Sequence, residues 1–419
     1  MTFKPKTFLA LCLVAIALTR SAIIFGSNDA GADLQIYREV GQLVSNGINP
    51  YDFTSNESLR QALSVDGYGI DPEEIRGKSR YDHYVSGNLP ASTALYGLID
   101  WMGHSKQWWR LALALGDILA AAGAFFLFSR AGIPIDTASK QAAFALAMVY
   151  YPSAIQWGVI YSEDKQFQTA LMFFLAGLVI KNTCKTPWKA PTAAAIAIGA
   201  VGSFGVLFKA LGVFLVPLAL NYFRARPRRD FIIAVASASF IAALFCLYFG
   251  TAFISLMGAR ATGGASAFAY HGSPWVLLPP VAVQYARPIL CLLLLVGACV
   301  AYHRQRIDML NLCAAACVIF TCLWITSGSM DRMNIAMIFA MMCMATVSVK
   351  NWCTLVTVNF AFQIPLYAGV IARLNDPKWL FYPERPDAIA TIVFLTSYFA
   401  LLYLTPVRET NEPLRLQNG

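Results

Sequence analysis

A chain of 419 residues that is 58% hydrophobic, 13% charged and has a mean hydropathy of +0.55 is too poor in charge for a soluble globular protein, in which about a quarter of residues are charged. Apolar runs near the ~20 residues that carry a helix across a bilayer recur from end to end, and the alternating pattern of a membrane barrel is absent. The net charge of +9 does not call for nucleic acid, because its basic clusters fall between apolar runs, where they set membrane orientation. The expected fold is all-α and polytopic, a single domain over residues 1–419.

Lys4 and Lys6 precede an apolar run from Phe8 to Ala17, which imitates a signal peptide. No small-x-small cleavage site followed by a soluble domain is present, so the segment reads as an uncleaved first span. The clusters "KNTCKTPWK" (181–189), "YFRARPRRD" (222–230) and "HRQR" (303–306) mark the cytoplasmic side. That anchoring gives spans at about 7–25, 108–129, 141–160, 164–181, 190–206, 208–222, 231–253, 287–303, 308–326, 331–349, 351–372 and 388–405, with both termini cytoplasmic. The ten cysteines lie almost wholly inside these spans and read as small apolar residues, with no disulfide framework or metal spacing.

Residues 26–106 are then a large external loop, with ten carboxylates against five Lys/Arg between 26 and 88. Residues 88–103 and 274–283, the first short and partly polar and the second broken by prolines, are expected as juxtamembrane helices on the outer face. Earlier in the loop, Leu34, Tyr37, Val40, Leu43 and Val44 recur at helical spacing. The spacing predicts an amphipathic helix over 33–46 resting on the membrane surface, stopped by Asn46-Gly47 and kept from resuming by Asn49-Pro50. Asp33 opens it, either as an amino-terminal cap or as a chemical group.

The stretch "DLQIYREVGQLVSNGINPYD" is similar to the Asp-x3-Tyr…Gly-x-Asn-Pro-Tyr signature that follows the first span in GT-C glycosyltransferases, through Asp33, Tyr37, Gly47, Asn49, Pro50, Tyr51 and Asp52. It most resembles glycosyltransferase family 87, which includes polyprenyl-phosphate-mannose-dependent mannosyltransferases. Weaker matches follow in order: "YDHYVSGNLPASTALYGLI", "YYPSAIQWGVIYSEDKQFQTALMFFLAGL", "LFKALGVFLVPLAL" and "DRMNIAMIFA". The second of these reads Ser-Glu-Asp-Lys-Gln where the family commonly has Gly-Gln-x-Asp. The resemblance implies a GT-C-like bundle of about 12 transmembrane helices in a bacterial plasma membrane. It also implies transfer of a hexose, mannose favoured, from a polyprenyl-phosphate donor to a glycan or lipid acceptor hydroxyl on the external face.

A hydroxyl attacks only once a base takes its proton. Asp33 is the candidate base and Asp29, four residues earlier, a second carboxylate that either shares the acceptor or is a solvated loop residue. The departing lipid phosphate needs cations, and ionisable side chains within spans are functional candidates by default. The candidates are Lys209, Arg332, Arg260 and His271, the last two together with Arg287 surrounding the Gly-rich loop "GARATGGASAFAYHGSPW" (258–275). Snorkelling of Lys209 and pairing of Arg332 with Asp331 are the plainer alternatives. Tyr37, Asn49, Tyr51, Glu163, Asp164 and Lys165 are candidate substrate contacts, although interface packing for Tyr37 and a solvated turn for 163–165 are the plainer explanations. No cofactor is expected, and four scattered histidines offer no metal site. The competing classes are a lipid-linked glycan transporter or flippase, and an O-antigen polymerase- or ligase-like protein. Neither explains the helix-bearing first loop.

Overall fold

The computed structural model describes residues 2–27, 32–51, 89–160, 162, 164–180, 191–224, 226–251, 253–254, 273–325, 330–375 and 384–405. Among these there is no strand, and the chain is a bundle of helices. The first four are α1 (Pro5–Gly26), α2 (Ala32–Ser45), α3 (Pro90–Met102) and α4 (Lys106–Arg130). Then α5 (Ala138–Met148) breaks before α6 (Pro152–Ile155), which runs into a π-helical turn at Gln156–Ile160. Next come α7 (Lys165–Val179) and α8 (Pro191–Lys209), then a 3₁₀ turn (Leu211–Leu215) leading into α9 (Val216–Arg224) and α10 (Arg228–Phe249). The remainder is α11 (Pro280–His303), α12 (Met309–Val318) with a π-helical end at Ile319–Trp324, α13 (Met330–Cys343), α14 (Val349–Asn375) and α15 (Glu384–Leu404).

A helix occupies each of the twelve expected segments. Five helices among the described residues are both long and apolar enough to cross a bilayer: Pro5–Gly26, Lys106–Arg130, Pro191–Lys209, Arg228–Phe249 and Val281–His303. The chain therefore has the character of a helical membrane protein. The stretch 274–283 departs from expectation: it is a 3₁₀ turn at Pro274–Leu277 followed by the start of α11, not a separate surface helix. Pro279 and Pro280 do not break α11 because they sit at its cap and first position, where a missing N–H costs no hydrogen bond.

Sequence dictates how these helices approach one another. The buried stripe of α1 is Phe8, Cys12, Ile16, Arg20 and Ile24, one residue per turn, so a guanidinium lies in line with the apolar contacts. Between α4 and α7 the spacers are glycines: a Cβ at Gly116 would stand 3.0 Å from the Phe167 ring and backbone nitrogen, and one at Gly177 2.6 Å from the Phe126 ring. Small residues let helix backbones approach closely where lipid offers no hydrophobic drive between them. The nine described cysteines are all free thiols, and most are buried among apolar neighbours.

Gly116→Leu should cost about 1–3 kcal/mol by overpacking and lower the unfolding midpoint in detergent. Gly26→Ala should leave it unchanged, because nothing lies within 4 Å of that position. Equal midpoints for the two variants would contradict the close α4–α7 contact.

Candidate functional site

The site is assembled from the end of one helix, the start of another and a helix pair laid across both. In α2 the side chains of Leu34, Tyr37, Val40 and Leu43 are buried, as the periodicity predicts. What covers them differs from expectation. The stripe packs on α3 and on Trp109 of α4, forming a cluster with Tyr96, Ile99 and Leu113, so it does not rest on the membrane surface. A periodic apolar face announces burial but not the nature of the cover. The α2–α3 contact is intimate: Val44 sits directly over Gly97, and the space beside Gly41 is filled by Trp109 and the Tyr96 carbonyl.

The helix stop at Asn46-Gly47 takes the form its residues favour. Gly47 adopts φ 78°, the Ile48 N–H donates to the Leu43 carbonyl at 2.9 Å and the Gly47 N–H to Val44 at 3.0 Å. This is a glycine-terminated Schellman arrangement. Asn49 Oδ1 then accepts the Tyr51 N–H at 3.1 Å, while its Nδ2 donates to the Phe249 carbonyl, also at 3.1 Å. Tyr51 is buried against Phe249 and Phe253 and shares a 2.8 Å hydrogen bond with Thr93. Asn49 and Tyr51 thus pin the loop to α3 and α10. Whatever else they touch, they have structural work in the fold.

At the junction of α7 and α8 lies a buried ion pair. Asp164 Oδ1 is 3.0 Å from Lys209 Nζ, with the aspartate fully buried and the lysine 11% exposed. The other oxygen, Oδ2, accepts the Tyr96 hydroxyl at 2.6 Å. Tyr96 in turn stacks on Tyr37, ring centroids 4.5 Å apart and planes 18° from parallel. A continuous path of contacts therefore runs Lys209–Asp164–Tyr96–Tyr37, from the membrane-length α8 to the amphipathic α2. Asp33 belongs to the first turn of α2, four residues before Tyr37 and so on the same side. Its side chain lies outside the described residues. Lys165, next to the pair, is also buried, so Asp164 and Lys165 are not solvated turn residues.

Backbone conformation singles out the same place. Only three described non-glycine residues have positive φ, and two flank the pair: Ser162 at 55° and Ala210 at 63°. Such conformations cost about 1–3 kcal/mol each and persist where the surroundings over-determine them, often at functional sites. Support comes from two further buried cations. Arg20 Nε donates to Asp117 Oδ2 at 2.8 Å, and its Nη1 donates at 2.7 Å to the Val149 carbonyl, where α5 breaks. Arg110 donates to the carbonyls of Ile24 and Ser27 at the end of α1 and of Val159 in the π turn. These arginines satisfy acceptors that the broken helices leave open.

Of the residues the sequence singles out, the structure joins Asp164, Lys209 and Tyr37, the last two through Tyr96 and the carboxylate. Asp29, Glu163, Arg260 and His271 lie outside the described residues, as does the side chain of Arg332, which is in the first turn of α13. Two residues on, Asn334 accepts the Ser153 hydroxyl at 2.8 Å in a buried network that continues through Gln363 to the Tyr151 hydroxyl. Tyr96, Arg20, Asp117 and Arg110 escaped the sequence reading, although ionisable residues inside apolar helices were a usable signal for the last three. Arg287 stacks over Trp324, 5.4 Å from the ring centroid, away from this junction in sequence and partner set.

Lys209→Met should strand a buried carboxylate and cost about 3–5 kcal/mol. Adding Asp164→Asn should recover most of that loss in the same detergent melt. A double variant no more stable than the single one would show that the pair does not interact. No protein-family model and no curated protein matches this chain.

Proposed function

We propose that the chain is an integral membrane glycosyltransferase that moves a hexose, mannose favoured, from a polyprenyl phosphate to an acceptor hydroxyl on the external face, through a GT-C-like bundle of about 12 spans. The observation that carries this reading is the contact path from Lys209 through Asp164 and Tyr96 to Tyr37, which couples a cation at the end of a membrane-length helix to the helix bearing Asp33. A lysine is a compact point charge suited to phosphate oxygen. Held by a buried carboxylate, it is preorganised for the charge that grows on a departing lipid phosphate.

A second feature supports a lipid-linked donor. An apolar groove of about 410 Å³, lined by Val44, Ala94, Phe204, Phe245, Tyr248 and Phe249 among others, lies between α2, α3, α8 and α10. Phe204 contacts Phe208, the neighbour of Lys209. A prenyl chain in this groove would bring its phosphate to the Lys209 end of α8. Asp33 then takes the proton from the acceptor hydroxyl as the glycosidic carbon is attacked. Arg332, Arg260 and His271 are additional phosphate-binding candidates, Asp29 is a second catalytic carboxylate candidate beside Asp33, and Glu163 and Lys165 are additional substrate contacts.

Purified protein given a panel of labelled polyprenyl-phosphate sugars should turn over or slowly hydrolyse one of them. Asp33→Asn should reduce that rate by about 10²–10⁴-fold, the usual contribution of a general base, with folding and donor binding retained. Undiminished turnover would remove Asp33 from the mechanism, and donor translocation without sugar transfer would favour the flippase reading. For orientation, a reporter at residue 70 should behave as external and one at 227 as cytoplasmic; the opposite pattern would invert the site.

A further inference from the structure

A polar cavity, unused by the proposed reaction, opens where α11 ends. It has a volume of about 340 Å³, in the range of small-ligand sites, and its lining includes His303, Gln305, Arg306, Asp308 and Thr346. The turn that shapes it is strained: Gln305 is the third described non-glycine residue with positive φ, at 55°. Its formal charges are those of Arg306 and Asp308. Asp308, the acidic member, is already engaged, with Oδ1 accepting the Asn311 backbone and side-chain N–H at 2.8 Å each and Oδ2 the Thr346 hydroxyl at 2.7 Å.

Arg306 donates through Nη1 to the Tyr403 carbonyl at 2.9 Å, but its Nε is buried without a hydrogen-bond partner. Among the described residues no ion pair involves Arg304 or Arg306. The helix leading to the cavity is one of the membrane-length ones, and Leu292, Leu293, Val296 and Val300 are exposed along it. Cations gathered at the end of an exposed apolar helix match a lipid: negative head at the interface, chains against the helix. A free soluble anion would need the cations but not the apolar flank.

We propose that the phosphate headgroup of an anionic phospholipid enters this cavity against Arg306 and is met from outside the lining by Arg304, exposed beside it at the end of α11, with its acyl chains along α11. The "HRQR" cluster is among those expected on the cytoplasmic side, which makes the inner leaflet the source. The site stands apart from the sugar-transfer reading and does not need it.

The test is native mass spectrometry of the full-length chain in detergent supplemented with phosphatidylglycerol or phosphatidylcholine. One phosphatidylglycerol should be retained in preference to phosphatidylcholine. Arg304→Gln and Arg306→Gln should each weaken retention about fivefold, the effect of one interfacial cation. Arg306→Gln also loses the bond to α15, so Arg304→Gln, at an exposed position, is the variant that reads binding without touching the fold. Equal retention of the two lipids, or wild-type retention by Arg304→Gln, would overturn the proposal. So would displacement of the lipid by millimolar inorganic phosphate alone, which would make the ligand a free anion.

Discussion

An aspartate and a lysine cannot lie buried in an apolar bundle unless each offsets the other, and this constraint organises the centre of the molecule. Removing a charge from water costs several kcal/mol, and attraction in a low-dielectric interior balances that only when the geometry is good and the remaining lone pairs are satisfied. Asp164 meets both conditions, through Lys209 on one oxygen and the Tyr96 hydroxyl on the other. The three groups come from the start of α7, the end of α8 and the middle of α3, so one carboxylate fixes the relative positions of three helices. Tyr37, stacked on Tyr96, brings in α2 as the fourth.

The surrounding architecture holds those four helices at the right separations. Glycines at 116 and 177 let α4 and α7 approach closely, which sets where the first turn of α7 begins. The chain before that turn is irregular, a broken helix followed by a π turn, and its open carbonyls at Val149 and Val159 are taken by Arg20 and Arg110. Irregular backbone within an apolar bundle is tolerated where such partners exist. The two arginines therefore support the site without belonging to it. On the other side, Asn49 and Tyr51 fasten the loop after α2 to α10 and α3, so that the helix carrying Asp33 is tied down at its far end.

Much of this was legible in residue order, and the reasons for the remainder are physical. Apolar runs located the helices, because membrane-length hydrophobic stretches have few alternatives. Asn46-Gly47 and the Asn49-Pro50-Tyr51 turn were legible because their conformations are local. The junction of Asp164 with Lys209 joins positions 45 residues apart (209 − 164), and nothing local announces such a pairing. Lys209 stands out as an ionisable group in an apolar setting, whereas Asp164 reads as part of a solvated turn, and their partnership is not visible. Tyr96 was harder still, since a tyrosine in a half-apolar helix has many ordinary explanations. The cover over α2 is not written in its own residues, because an amphipathic pattern is the same whether lipid or protein lies against it. At 274–283 two prolines suggested a break, whereas they stand at the one place in a helix where proline is at ease.

Central to the account is that a lipid-borne phosphate docks against the lysine at the end of α8. An experimental structure with a polyprenyl-phosphate sugar or a non-hydrolysable analogue bound tests this most directly. The account predicts phosphate density within ion-pair distance of Lys209, the prenyl chain along the α8–α10 groove, and the sugar turned toward the first turn of α2. Phosphate density elsewhere, with the Asp164–Lys209 pair buried behind intact packing and out of reach of the ligand, would contradict it.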